Sequence, residues 1–299
     1  MHCVEQLEGR TLFASYSAAT VAELIAAINA TNASNQADTI TLAAGANFTL
    51  TARTSTANGG TGLPVIAAHS GGLTILGNGD TIERSPATGT PFFRLFDTEV
   101  GASLTLKNLA LQGGKSPTAG GAVYNQGELI LENVTVRNNA TYGLQGWGST
   151  PDAHALGGVV YSSGTLTVTG CTVQNNFAIG GRGTDAFGGG IYIGGGTVSI
   201  NSSTVTSNTA RGGDDGAGDG FGGGLYAADG SVTLQNVTIT SNAAAGGRGY
   251  TGSSGQGIGG GLYIASAASV GLDQFTLDHC RRNKASTGAK DIFGSYILI

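Results

Sequence analysis

The stretch that decides the fold runs from residue 188 to residue 208 and reads GGGIYIGGGTVSINSSTVTSN. Val198 and Ile200 stand two residues apart, and the T-V-T segment around Val205 repeats the alternation. Apolar residues at a spacing of two are typical of a strand, whose side chains alternate between two faces. The stretch therefore predicts two short strands, and the G-I-Y segment around Tyr192 supplies a third.

The same pattern recurs along the chain. The segment at Tyr192 returns as GGAVY, GGVVY and twice as GGGLY, which places tyrosines at positions 124, 161, 226 and 263. The strand block occurs six times in one register. Its third apolar position is predicted to form one buried inward column: Leu109, Val134, Cys171, Ser203, Val237 and Phe275.

Such copies cannot bury their apolar faces singly, so they must stack as successive turns of a coil, here called rungs. We predict an all-β parallel solenoid with three short strands per rung. One elongated domain is expected over residues 20–299, with irregular rungs at 38–119 and regular rungs at 120–299. Residues 1–19 are expected to be a leader or a disordered segment. Most length variation follows the strand block, which predicts loops leaving the coil on one side.

In residues 20–32, which read TVAELIAAINATN, the spacing of apolar residues changes from that of a strand to that of a helix. Val21, Leu24 and Ile28 fall on one helical face, and Thr20 followed by Glu23 fits a capping box. An open solenoid end exposes core and strand edges. We therefore predict an N-terminal helix that caps the first rung.

An asparagine closes four consecutive strand blocks, at positions 139, 176, 208 and 242. Stacked amides can hydrogen-bond along the axis and satisfy one another, so we predict a ladder, with ligand binding as the alternative. The ladder is expected to end at Asn139, which follows Gly114 in the column, and at Asn242, which precedes Cys280.

Composition excludes several classes of function. The net charge is −5, only 11% of residues are charged, and Arg137, Arg182, Arg211 and Arg248 are scattered singly, one per repeat, so a nucleic-acid partner is not expected. No apolar run approaches the roughly 20 residues of a membrane helix. Cys171 and Cys280 lie three repeats apart, roughly 14 Å at the strand spacing, so no disulfide is expected between them. A monomer is expected.

Several ordered motifs resemble those of a known family. AELIAAINATN, LTILGNGDTIERS, FFRLFD and GASLTLKNLAL resemble the opening of bacterial right-handed parallel β-helix proteins. The GGGIY and VTSN repeats are similar to those of polymorphic outer-membrane-protein and autotransporter-like passenger domains. The resemblance implies a single-stranded right-handed, pectin-lyase-like β-helix, and a secreted or surface-exposed bacterial protein that is often an adhesin.

Because pectate lyases and polygalacturonases share this fold class, an enzyme must be considered, although a fold licenses no activity. Asp214, Asp215 and Asp219 cluster in the loop GGDDGAGDGF. No matching Arg-plus-His constellation is evident, and His69, His154 and His279 lie in unrelated segments. No catalytic residue is therefore predicted. The three aspartates are candidate Ca²⁺ ligands, and the alternative is a solvated, flexible loop.

The loops share a second feature, a Gly-Gly element next to Arg182, Arg211 or Arg248. Stacked arginines could hold an acidic glycan, or each could reach a carbonyl of the next rung. Trp147 stands alone in its loop and is expected to pack over the coil. We expect a non-enzymatic extracellular or cell-surface solenoid that presents Gly-rich loops for adhesion or surface structure, with a polysaccharide as a possible ligand. The alternative is a polysaccharide lyase or glycoside hydrolase that acts on acidic glycans.

Overall fold

The computed structural model of the protein describes residues 14–68, 71–144, 153–250 and 252–299, and it confirms the parallel β-solenoid. The strands of each sheet pair in parallel with the equivalent strands of the neighbouring rungs. A regular rung passes through five sheets in turn, two more than the sequence predicts. The two additional sheets lie in the segments that were predicted to be loops.

The sheets are numbered 1 to 5 in the order in which a rung meets them. Sheet 1 contains Ser15–Ala18, Asp38–Leu42, Leu73–Leu76, Ser103–Lys107, Glu128–Glu132, Thr165–Thr169, Thr197–Asn201, Ser231–Gln235, Ser269–Leu272 and Ile297–Leu298. Sheet 2 contains Asn47–Leu50, Thr81–Arg84, Ala110–Gln112, Thr135–Arg137, Thr172–Gln174, Thr204–Thr206, Thr238–Thr240 and Cys280–Arg281. Sheet 3 contains Lys115–Ser116, Ala140–Tyr142, Phe177–Ile179, Thr209–Arg211, Ala243–Ala245 and Lys284–Ala285. Sheet 4 contains Ala155–Leu156, Ala186–Phe187, Gly220–Phe221 and Gly257–Ile258. Sheet 5 contains Phe96–Thr98, Val123–Asn125, Val160–Ser162, Ile191–Ile193, Leu225–Ala227, Leu262–Ile264 and Ile292–Phe293.

Helix α1 spans Val21–Asn32 and begins with the predicted capping box. The side chain of Thr20 accepts a hydrogen bond from the Glu23 backbone, and the Glu23 carboxylate accepts one from the Thr20 backbone. Its buried residues include Leu24 and Ile28, which belong to the solenoid core. The helix thereby packs on the first strands, as predicted for a cap.

The first strand of sheet 1, Ser15–Ala18, precedes the helix and pairs with Asp38–Leu42. The coil therefore begins within the segment expected to be a leader or disordered. Residues 1–13, which include Cys3, lie outside the described part of the chain, as do His69 and Trp147. Among the described residues, no helix is both long and apolar enough to cross a bilayer.

The predicted inward column is buried at five of its six positions, Leu109, Val134, Cys171, Ser203 and Val237. The sixth assignment is wrong, because Phe275 is 41% exposed and Thr276 is buried in its place. Helix α2, which spans Gln274–His279 and has Asp273 as its N-cap, replaces the expected strand. The helix shifts the register. Counting alternate residues through it therefore identifies the wrong residue as the buried one.

Steric constraints explain both glycines of the pair that precedes each tyrosine. Gly188 has φ of 65°, a left-handed conformation that glycine adopts without strain. A Cβ on Gly189 would lie 2.3 Å from the carbonyl oxygen of Gly223 and equally close to the backbone of Thr209. The chain returning to sheet 5 thus lies directly against sheet 3, and no side chain fits between them.

Candidate functional site

Sheets 3 and 4, together with the loops that join them, form a thin two-layered extension that we call the flange. Its interior is a separate cluster of small buried residues, Ala155, Ala178, Ala186 and Ala210. Small side chains let the two layers approach closely, which explains why this interior cluster contains alanine in place of the Val, Leu and Ile of the main coil.

The loops at the tip of the flange are hydrogen-bonded from rung to rung. Gly183 N–H donates to the Asp214 carbonyl at 2.9 Å, and Asp215 N–H donates to the Arg248 carbonyl at 2.6 Å. Gly213 N–H donates to the Thr184 carbonyl at 2.8 Å. The Gly-rich backbone of these loops therefore continues the stacking of the coil.

Two of the three candidate Ca²⁺ ligands lie at this tip and already have cationic neighbours. One nitrogen of Arg211 contacts both carboxylate oxygens of Asp214, at 2.6 and 2.7 Å. That contact, with a hydrogen bond from the Arg248 backbone, lowers the pKa of Asp214. Arg182 lies 3.6 Å from the carboxylate of Asp215.

Asp219, the third candidate, lies apart from them at the start of a sheet 4 strand, where its Oδ1 accepts the Gln256 N–H at 2.6 Å. Within the described ranges, no three or more His, Cys, Asp or Glu side chains are grouped so that they could hold a metal ion. Ca²⁺ binding by the three aspartates stays a prediction.

These aspartates neutralise charge in the predicted row of loop arginines. Besides its contact with Asp215, Arg182 lies over the ring of Tyr250 at 4.9 Å. Arg211 is engaged by Asp214. Two of the three loop arginines are therefore paired with carboxylates.

The repeated tyrosines form one outward-facing column on sheet 5, which Phe293 continues. Neighbouring ring centroids are 4.7 to 5.4 Å apart and nearly parallel along the series Tyr124, Tyr161, Tyr192, Tyr226, Tyr263 and Phe293. Burial, together with the neighbouring Tyr263 and Tyr192, raises the pKa of Tyr226 to about 12.

A second apolar column, on sheet 4, faces the tyrosines. It consists of the residue just before each Gly-Gly pair: Leu156, Phe187, Phe221 and Ile258. The Phe187 ring meets that of Tyr226 at 5.0 Å and 71°, and the Phe221 ring meets that of Tyr263 at 5.1 Å and 62°. We call the concave strip between these two columns the groove.

The groove opens into a cavity of about 310 Å³ at the end nearer the N-terminus. Tyr124, Tyr161 and Leu156 line it together with Asn58 and Thr118. Ala119 also lines the cavity; it pairs with Leu156 from one rung earlier, and its side chain is smaller than any in the sheet 4 column.

A row of polar residues borders the groove two positions before the sheet 4 column. The Asp185 N–H donates to Nδ1 of His154 at 3.0 Å, the Asp219 N–H to Oδ1 of Asp185 at 2.7 Å, and Asp219 accepts from Gln256 in the same way. We call His154, Asp185, Asp219 and Gln256 the rim.

Sequence reasoning missed both the sheet 4 column and the rim. It treated His154 as unrelated to other titratable residues, whereas the structure places it beside Asp185. A signal was present: from position 157 onward, each Gly-Gly pair that precedes a tyrosine follows a large apolar residue, with a polar residue two positions earlier. The variable loop before that signal concealed the register.

A buried ion pair lies below the first tyrosine. Arg94 and Asp97 are both fully buried, with Nη1 and Oδ2 separated by 3.8 Å. Asn58 donates to the same Asp97 oxygen at 2.9 Å, and the Arg94 guanidinium lies 5.0 Å from the Tyr124 ring centre. Burial raises the pKa of Asp97. These contacts tie the irregular segment around Asn58 to the coil beside the cavity.

Comparison with known proteins adds no relative. No protein-family model matches the chain, and no curated protein or solved structure matches it significantly.

Proposed function

We propose that the protein is a non-enzymatic extracellular scaffold that uses the flange and the groove for adhesion or surface structure. One observation carries the proposal. At the tip of the flange Arg211 is paired with Asp214 and Arg182 with Asp215, while the groove repeats one aromatic and apolar surface over successive rungs. A repeated, uncharged strip suits binding better than catalysis, which needs a few unlike groups around one bond.

The extracellular location is part of the proposal. It rests on the resemblance of the GGGIY and VTSN repeats to bacterial passenger domains and on the low content of charged residues. Protease treatment of intact source cells tests it: a surface protein is digested, whereas an intracellular protein is cut only after lysis.

A carbohydrate-active enzyme is the second candidate, and the rim is the reason to retain it. Asp185 and Asp219 occupy equivalent positions on adjacent rungs, which lie about 4.8 Å apart. Retaining glycosidases hold their two carboxylates about 5–5.5 Å apart. Against this role, one oxygen of each carboxylate accepts the backbone N–H of the next rung, so both residues already help to stack the rungs.

Binding and turnover of purified protein on a panel of immobilised polysaccharides distinguish the two candidates. We expect saturable binding to at least one polymer, without release of reducing ends or unsaturated products. Turnover that is lost in both Asp185→Asn and Asp219→Asn, while binding persists, would establish the enzyme instead.

A further inference from the structure

We infer that the groove binds a linear, non-acidic polysaccharide whose chain lies along the solenoid axis. The inference rests on the proposed adhesive function and names its ligand class and site. The argument starts from the period of the groove. Each rung adds one ring from sheet 5 and one apolar side chain from sheet 4 at the strand spacing of about 4.8 Å. A surface that repeats in one direction fits a ligand that repeats in one direction.

The backbone of the groove favours a polysaccharide over a peptide. An extended peptide gains its affinity by adding to a free sheet edge. Along the groove, each interior strand of sheets 4 and 5 pairs with the rungs on both sides, as Ile191–Ile193 does with Val160–Ser162 and Leu225–Ala227. The groove walls therefore offer side chains only, and they cannot bind a peptide by strand addition.

The side chains of the groove match the two surfaces of a sugar. A sugar ring presents C–H groups on its faces and hydroxyls on its edges. Phe187 stands at 71° to Tyr226, so the walls present both ring edges and ring faces for the C–H groups. The tyrosines add hydroxyls that can donate and accept.

Charge selects against acidic polymers. The walls and rim contain no Lys or Arg among their described residues, and the rim contributes the carboxylates of Asp185 and Asp219. The Oδ1 atom of Asp219 accepts a backbone N–H, whereas Oδ2 has no hydrogen-bond partner within the described part of the chain. That oxygen can accept from a sugar hydroxyl or amine, and it repels a uronate.

The test uses groove variants and a matched control on the same flange. Phe187→Ser and Phe221→Ser remove groove rings, whereas Phe177→Ser removes an exposed ring on sheet 3. Phe187→Leu and Phe221→Leu keep most of the volume without the ring, and they replace the serine variants if those do not fold. Thermal melts establish that each variant is folded before binding is measured.

Affinity is measured by calorimetry with oligomers of cellulose, chitosan and polygalacturonate, and with an oligolysine peptide. We expect the cellulose or chitosan oligomer to bind, a loss on the order of tenfold in each groove variant, and no change in Phe177→Ser. The Asp219→Asn change should weaken chitosan binding more than cellulose binding.

Each other outcome has a definite meaning. Tightest binding of polygalacturonate or oligolysine would overturn the inference. Equal affinity of the wild type and the groove variants would show that the ligand binds outside the groove. The proposed adhesive function would not be contradicted. Failure of every polysaccharide would count against both proposals.

Discussion

Asn242 donates both its backbone N–H and its side-chain amide to one atom, Oδ1 of Asn283, at 2.9 and 3.0 Å. The asparagine ladder is therefore real but longer than predicted. It passes from Asn139 through the intermediate rungs, and Asn283 in turn donates to the carboxylate of Asp291. The sequence placed its end at Asn242 because Cys280 stands where alternation predicts the next asparagine.

The ladder predicts a loss of stability at an interior position and at the position next to Gly114. Changing Asn208 to Leu leaves the buried N–H of Asn176 without its acceptor, and changing Asn139 to Leu does the same to the buried N–H of Gly114. Each change should lower the free energy of unfolding by about 1–3 kcal/mol. Urea melts measure both. A partly exposed residue, Asn201, serves as the control, whose replacement by Leu should cost about 0.5 kcal/mol or less. An Asn139→Leu variant as stable as this control would contradict the ladder at that end.

The register of helix α2 can be tested with adjacent residues. The Thr276 hydroxyl accepts the buried N–H of Val237 at 3.0 Å, so Thr276→Val should cost about 1–3 kcal/mol although it keeps the shape. Phe275 is exposed and stacks on His279 at 3.9 Å, and Phe275→Ser should change stability by about 0.5 kcal/mol or less. Chemical denaturation compares the two variants, and the opposite order would restore the register that alternation alone predicts.

The main coil was predictable because its signal is local. An alternation such as that of Val198 and Ile200 specifies a strand and its inward face within a few residues. The flange was not predictable in this way. Its strands are two or three residues long and filled with alanine and glycine, as at Ala186 and Gly220. Such residues carry no hydrophobic period, and they form strands because equivalent segments stack.

Only one of the two columns that form the groove could be predicted from the sequence. The tyrosines recur in a fixed motif, so a column on one face could be anticipated. Phe187 and Phe221 lie beyond a loop of variable length, and only the folded corner brings them against Tyr226 and Tyr263. The Arg94 and Asp97 pair depends on the irregular segment around Asn58, for which no repeat provides a register.

The Gly-Gly pair predicts an unusually costly alanine substitution. At Gly189 a Cβ would meet backbone on two sides, and backbone cannot change rotamer to relieve the overlap. Gly189→Ala should cost about 3 kcal/mol or more. At Gly79, where φ is 89° and nothing lies within 4 Å of a Cβ, alanine should cost only the left-handed conformation, about 1–2 kcal/mol. Equal melting midpoints for the two variants would show that sheets 3 and 5 can separate at little cost.

The buried thiols should react slowly in the native protein. Cys171 and Cys280 are free and buried, and burial raises the pKa of both thiols, that of Cys280 to about 12. The thiolate that reacts is therefore scarce near neutral pH. In a Cys3→Ser background, a thiol reagent should label neither residue on the timescale on which it labels the urea-unfolded chain. Fast native labelling of Cys171 would contradict the inward column.

The tyrosine column predicts a loss of stability in alkali that depends on Tyr226. Its pKa is raised to about 12, by burial first and then by Tyr263 and Tyr192, whereas an unfolded tyrosine titrates near pH 10. Between these values the unfolded chain releases a proton that the folded protein retains. The folded state then binds more protons, so the free energy of unfolding falls as pH rises through this window. Tyr226→Phe removes that contribution and should make the alkaline decline shallower, while near neutral pH the two proteins should differ little. Urea melts of both proteins across the window measure the slopes, and equal slopes would show that the Tyr226 hydroxyl titrates alike in the folded and unfolded chain.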